Sequence, residues 1–194
     1  MSELRRRAVH LAGTAFPGAY VVGLVTYAQF RLALAGALAV VAVLEFVRLV
    51  VGYQHRIYDE LTREYETDNV AGYALFFVGG TLAATLFPAW IGVPAVLMLS
   101  VGDPISGVLG SADATAAKEA GVLAVMFLVC FALALPFAVG ALGQLPGAAV
   151  AAAGAAGATF ADGVKPVVAG YVVDDNFSIP PSAGGAMWLL AQAA

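Results

Sequence analysis

From Gly121 to Gly140 the chain reads GVLAVMFLVCFALALPFAVG, twenty residues without a charged side chain. An α-helix needs about 20 such residues to cross the hydrocarbon core of a bilayer. Comparable runs recur to either side: Ala8 to Tyr27, Leu32 to Gly52, Val70 to Phe87, Trp90 to Gly110, Pro146 to Ala161, and Ile179 to the C-terminus. The polar breaks between them are short, so the pattern predicts about seven transmembrane helices. Composition agrees. The 194 residues are 61% hydrophobic and 11% charged, with a mean hydropathy of +0.89. A soluble domain carries about 25% charged residues, and this chain has too little polar surface to cover a core of its size.

Ala and Gly dominate several of the runs, which in a membrane favours close helix approach through small residues. The expected fold is therefore all-α: one polytopic transmembrane helical bundle forming a single domain over residues 1–194. There is no internal repeat and no dividing linker. Arg5, Arg6 and Arg7 lead directly into a run long enough to span, without the small-residue pattern of a cleaved leader, so the first helix is expected to stay. The lone cysteine, Cys130, falls inside a predicted span and offers no disulfide framework.

Lys and Arg near helix ends are retained on the cytoplasmic side, which places the N-terminus in the cytoplasm. With about seven crossings, Arg5 to Arg7, Arg56, Arg63, Lys118 and Lys165 then share the cytoplasmic face, and only Arg31 falls outside. Most of the acidic residues follow: Asp59, Glu60, Glu64, Glu66, Asp68, Asp113, Glu119, Asp162, Asp174 and Asp175. The outer connections are short and nearly uncharged. A charged cytosolic ligand is the simplest reason for such one-sidedness. The net charge of −4 and a pI near 5.0 speak against nucleic acid, which would call for a basic stripe. Acidic loops of this kind bind divalent cations or serve as solvated surface, and composition does not separate the two.

Ionisable groups at membrane depth are costly and mark candidate functional sites. Asp103 is the sharpest, in Ser100-Val101-Gly102-Asp103-Pro104-Ile105-Ser106-Gly107. Gly102 and Pro104 are expected to loosen the helix there and expose backbone groups beside the carboxylate, as helices do where they line a polar cavity. The plainer reading, a helix cap or an Arg partner, stays open. Asp162, Lys165 and Asp174-Asp175-Asn176 occupy one later connection, before Phe177-Ser178-Ile179-Pro180-Pro181. Adjacent carboxylates beside an amide suit Mg²⁺, which takes oxygen ligands and completes its shell with water and phosphate; Asp-Asp-Asn before prolines is equally ordinary turn chemistry. Glu45 and Arg48, three apart, can pair on one face of the second helix. His10, near the arginines, either meets a phosphate or packs. No phosphate-binding glycine loop, zinc-spaced His/Cys set or nucleophile elbow is present.

Taken together, these residues resemble the dolichol kinase and phytol kinase family of CTP-dependent polyprenol kinases, related to integral membrane cytidylyltransferases. The resemblance runs nearly end to end. It starts at Arg6-Arg7-Ala8-Val9-His10, continues through Glu45-Phe46-Val47-Arg48, and includes Ala71-Gly72-Tyr73-Ala74-Leu75-Phe76-Phe77 ending in Leu86-Phe87-Pro88. Its more specific elements are Gly102-Asp103-Pro104-Ile105-Ser106-Gly107, similar to the family's Gly-Asp segment, and Asp175-Asn176-Phe177-Ser178-Ile179-Pro180, similar to its Asp-Asn-x-x-Ile-Pro signature. Between them the family shows Gly-Lys followed by Ser, Glu and Gly. This chain reads Ala117-Lys118-Glu119-Ala120-Gly121, keeping Lys, Glu and Gly in order, and has Asp162 where the family has Glu.

The resemblance implies transfer of the γ-phosphoryl group of CTP to the hydroxyl of an isoprenoid lipid alcohol within the lipid bilayer, at the cytoplasmic face, with Mg²⁺ as cofactor. On that reading Asp103 and Asp175 hold the metal, assisted by Asp174 or Asp162, and one of these carboxylates is the base. Lys118, Gly102, Gly107, Lys165 and Asn176 meet the nucleotide, while Arg6, His10, Glu45 and Arg48 support the site. A cytidylyltransferase forming a CDP-lipid from the same CTP is the near alternative. A transporter or membrane scaffold is the distant one, against which the one-sided placement of Asp103, Lys118 and the Asp174 cluster argues. Isoprenoid length and oligomeric state have no signature in the sequence.

Overall fold

The computed structural model describes residues 11–53, 55–62, 66–110, 118–164, 167–168 and 171–193. Its elements are α1 (Ala15–Val21), α2 (Tyr27–Leu49), α3 (Arg56–Leu61), α4 (Gly72–Leu86), α5 (Ala89–Leu97), a π-helical turn (Met98–Gly102), α6 (Asp103–Leu109), α7 (Ala120–Leu142), α8 (Gln144–Gly163) and α9 (Asp175–Ala191). Between α8 and α9, Val167–Val168 pairs antiparallel with Tyr171–Val172, a minimal β-ladder of β-branched and aromatic residues and the only strands among the described residues.

Three of these helical stretches have the length and apolarity of membrane spans: Tyr27–Leu49, Ala89–Leu109 and Ala120–Leu142. Their surroundings differ. The most apolar window of Ala89–Leu109 is 72% buried inside the protein, against 17% for Tyr27–Leu49 and 28% for Ala120–Leu142. The first is thus the central helix, and the other two turn side chains such as Leu32, Val40, Val43 and Leu128 outward. Exposed apolar helix faces on this scale need a hydrocarbon solvent, and the chain is an α-helical membrane protein. α4 is a shorter apolar helix of 15 residues.

The break between the first two predicted runs lies earlier than their hydropathy indicates. Gly23 takes a left-handed φ of 74°, and Thr26 restarts the helix through a capping box. The Thr26 side chain accepts from the Gln29 N–H at 3.3 Å, and Gln29 Oε1 accepts from the Thr26 N–H at 2.8 Å. Tyr27 therefore opens α2 instead of closing the first run. Its hydroxyl reaches the carbonyls of Ala84 and Phe87, each at 2.8 Å, and supplies a donor to the otherwise unpaired end of α4.

α7, α8 and α9 pack through small residues. A β-carbon at Gly154 would lie 2.5 Å from Met187 Cγ, and one at Gly157 would lie 2.7 Å from the Ser182 carbonyl oxygen. Ala134, Ala138, Ala151, Ala155, Ala158 and Ala183 are fully buried between these helices, together with Met98, Met126 and Met187. Helix backbones approach this closely only where side chains are small.

Pro104 shapes the central helix. It has no N–H for the Ser100 carbonyl, and its ring crowds that group. The loosening expected around Asp103 takes the form of the π turn over Met98–Gly102, and the helix passes through it unbroken into α6. The α-carbon of Gly102 sits against α7, where a β-carbon would come within 3.0 Å of Cys130 Sγ and 3.1 Å of Met126 Sδ. Asp103 follows directly on this wide turn.

Candidate active site

The start of α6, the last turn of α8 and the first turn of α9 come together in the bundle. Asp103 on α6, Asp162 on α8 and Asp175 on α9 meet there, with a carboxylate oxygen from each lying within 4.8 Å of the other two. Asp162 is 1% exposed and Asp175 4%, while Asp103 is half-buried. Carboxylates this close repel one another when ionised, unless a proton or a cation lies between them.

Asp162 is held on both oxygens. Oδ1 accepts from Lys118 Nζ at 2.5 Å, and Oδ2 accepts from Ser106 Oγ at 2.6 Å. Lys118 also donates to Ser106 Oγ at 2.9 Å, so Lys118, Ser106 and Asp162 close a triangle that joins α6 and α8 to the lead-in of α7. Ser106 is fully buried and shares a helix face with Asp103, three residues earlier. In the sequence Ser106 stands out only as part of the Gly102–Gly107 motif, with its i, i+3 spacing from Asp103 as the signal.

Asp174, expected among the metal ligands, is the N-cap of α9. Its Oδ1 accepts from the Asn176 N–H at 2.9 Å and from Asn176 Nδ2 at 2.6 Å. Capping turns this carboxylate onto the helix terminus, and Asp162 rather than Asp174 completes the acidic triad. The Asn176 N–H also lies 3.0 Å from Asp175 Oδ1. Because Nδ2 faces a carboxylate, which only accepts, the amide orientation is set. Asn176 Oδ1, on a residue 1% exposed, then meets no donor among the described residues.

Glu45 and Arg48 form the pair anticipated on the second helix, with Arg48 Nε 3.0 Å from Glu45 Oε1 and Nη2 2.7 Å from Oε2. Glu45 also accepts from the Tyr73 hydroxyl and from the Ala71 N–H, the latter at 3.0 Å. Arg48 extends to the carbonyls of Glu66, Thr67 and Asn69 at 3.0, 2.9 and 2.5 Å. This is a second polar cluster, joining α2 to the residues before α4 and to Tyr73 on α4.

Of the remaining expected residues, Gly102 packs on α7 as described and Gly107 is half-buried on α6. Arg6, His10 and Lys165 lie outside the described residues. The donor set of the triad is three carboxylates, all oxygen, the kind of ligand that hard divalent cations take. Comparisons with protein-family models, curated proteins and solved structures return no match.

Proposed function

We propose that this protein is a CTP-dependent kinase that phosphorylates a membrane isoprenoid alcohol, with about seven transmembrane helices, a cytoplasmic N-terminus and its active site at the cytoplasmic face. The observation that carries the reading is the convergence of Asp103, Asp162 and Asp175 from three helices of a lipid-facing bundle, with Lys118 bound at their edge. Phosphoryl transfer asks for in-line positioning and neutralisation of phosphate charge, and little else from a protein. The bundle's lipid-facing helices let an alcohol with a long apolar tail arrive laterally. The basic residues that the positive-inside pattern assigns to the cytoplasmic face would suit a highly anionic nucleotide. The sequence resemblance to polyprenol kinases supplies the identity of both substrates.

Asp103 and Asp175, with Asp162, would hold Mg²⁺, which when bound offsets the negative charge of the nucleotide phosphates. The chain's own residues do the rest. Lys118 lies within reach of the triad and would turn its ammonium toward a phosphate oxygen. Asp162 accepts from Lys118 and Ser106, and one of the carboxylates of Asp103, Asp162 and Asp175 would take the proton of the substrate hydroxyl. As that proton moves to the carboxylate, the alcohol oxygen bonds to the γ-phosphorus, the β,γ-bridging P–O bond breaks, and CDP departs with its electrons.

The test is the purified protein in nanodiscs with γ-labelled CTP, Mg²⁺ and a panel of isoprenoid alcohols and their monophosphates. Label in a lipid monophosphate, with CDP released, is the expected result. Release of pyrophosphate with a CDP-lipid would replace the kinase by a cytidylyltransferase. Neither product, from folded protein beside a working control, would overturn both.

A further inference from the structure

Glu66 is 4% exposed although it lies in a short acidic connection, and it is held there from behind. Arg48, itself locked on Glu45, takes three backbone carbonyls of residues 66–69. A guanidinium offers a rigid fork of donors, so this grip sets the path of the loop and not merely its charge. The loop brings the Glu66 carboxylate to the start of α4, where it and the Asn176 amide flank the same glycine. A β-carbon on Gly72 would lie 2.9 Å from Asn176 Nδ2 and 3.2 Å from Glu66 Oε1. One hydrogen of Nδ2 is given to Asp174, and Glu66 Oε1 is the other polar side-chain atom closest to that β-carbon position.

We infer that residues 66–69 form a positioning element of the active site, in which Arg48 fixes the loop and Glu66 backs the Asp174-set orientation of the Asn176 amide. Asp174 holds the amide nitrogen and Glu66 reinforces that orientation from beside Gly72, which leaves Oδ1, on the residue after Asp175, a buried acceptor with no donor among the described residues. An acceptor left without a donor inside a protein is costly unless a ligand uses it, and a hard amide oxygen is suited to a divalent cation. Glu66 acts through Asn176 and does not itself join the triad. The ligand part of this inference rests on the proposed Mg²⁺-dependent reaction; the positioning part does not.

Two measurements separate them. The chain contains two asparagines, Asn69 and Asn176, so asparagine-selective ¹⁵N labelling in nanodiscs yields two side-chain amide signals, assigned by the loss of one in Asn176→Ala. Glu66→Gln, Arg48→Lys and Gly72→Ala should each move or split the Asn176 signal. Titration with Mn²⁺ alone, followed by electron paramagnetic resonance, should show each variant binding about 10-fold or more weaker than wild type, the usual effect of disturbing a group that orients a ligand. In an Asn176→Ala background, Glu66→Gln should cost nothing further. An unmoved Asn176 signal across the folded variants overturns the positioning role, and so does an equal loss from Glu66→Gln with and without Asn176. If the amide moves but wild type binds no Mn²⁺, the positioning role stands and the metal-dependent reading falls.

Discussion

Lys118 Nζ lies 2.5 Å from Asp162 Oδ1, an ion pair between the lead-in of α7 and the last turn of α8 in which the Asp162 side chain is fully buried and that of Lys118 15% exposed. The ammonium therefore already occupies one edge of the triad, where a divalent cation would also bind. The two should compete. Lys118→Met is expected to tighten Mn²⁺ binding in the absence of nucleotide, while weakening CTP binding by about 10-fold or more through loss of a charge-assisted contact. Weaker Mn²⁺ binding in Lys118→Met would instead make Lys118 a support for the carboxylate geometry.

Asp103→Asn and Asp175→Asn preserve size and remove charge at two members of the triad. Each should lower kcat by about 100-fold or more while the protein remains folded and inserted, in line with the loss of a general base or a charge-stabilising group. Near-wild-type turnover in either variant removes that residue from the chemistry.

Asp174 gives a contrasting case within the same tripeptide. As the N-cap of α9 it needs an oxygen acceptor, and asparagine caps as well as aspartate. Asp174→Asn should keep turnover within a few-fold of wild type, and Asp174→Ala should lose about 1 kcal/mol of stability. A collapse of turnover in Asp174→Asn comparable to that in Asp175→Asn would return Asp174 to the cation site.

The difference between Asp174 and Asp162 also marks where the sequence stops being readable. The apolar runs reveal the helices because hydrocarbon imposes their length, and Asp103, Asp162, Asp175 and Lys118 stand out because charge is costly beside such runs. Which of two nearby aspartates faces the triad depends on a helix cap and on how α8 packs against α6, neither of which is a local property of the chain. The break ahead of α2 was hidden for a related reason: Thr26 and Gln29 cap the helix inside a stretch whose hydropathy is almost continuous. Glu66 carries no mark among its acidic neighbours, since its burial comes from the grip of Arg48 eighteen residues earlier.

The grip itself is testable through Glu45. Glu45→Gln leaves Arg48 beside a neutral amide at a place where both side chains are 8% exposed. Breaking a buried pair from one side costs about 3–5 kcal/mol, because the remaining charge has no solvent to turn to. Thermal unfolding in detergent should fall sharply for Glu45→Gln, and replacing Glu45 and Arg48 together by apolar residues should recover part of the loss. An unchanged unfolding temperature in Glu45→Gln would mean that the carbonyls of residues 66–69 suffice to hold Arg48.

Gly79 and Gly36 separate packing from mere helix preference. A β-carbon at Gly79 would come within 2.7 Å of the Asn176 carbonyl oxygen and 2.8 Å of the Phe177 carbonyl oxygen, on the backbone of the α9 turn that carries Asp175. Backbone has no rotamer with which to yield, so Gly79→Ala must push α4 and α9 apart, at about 1–3 kcal/mol for the overpacking. The displacement reaches the triad, and turnover should fall by more than the loss of folded protein explains. Gly36 lies on α2, where a β-carbon meets nothing within 4 Å. Gly36→Ala should leave turnover unchanged and stability equal or higher, since alanine stabilises a helix interior by about 0.5–1 kcal/mol over glycine. Equal behaviour of the two variants in turnover and unfolding would show that the approach of α9 to α4 does not set the position of Asp175.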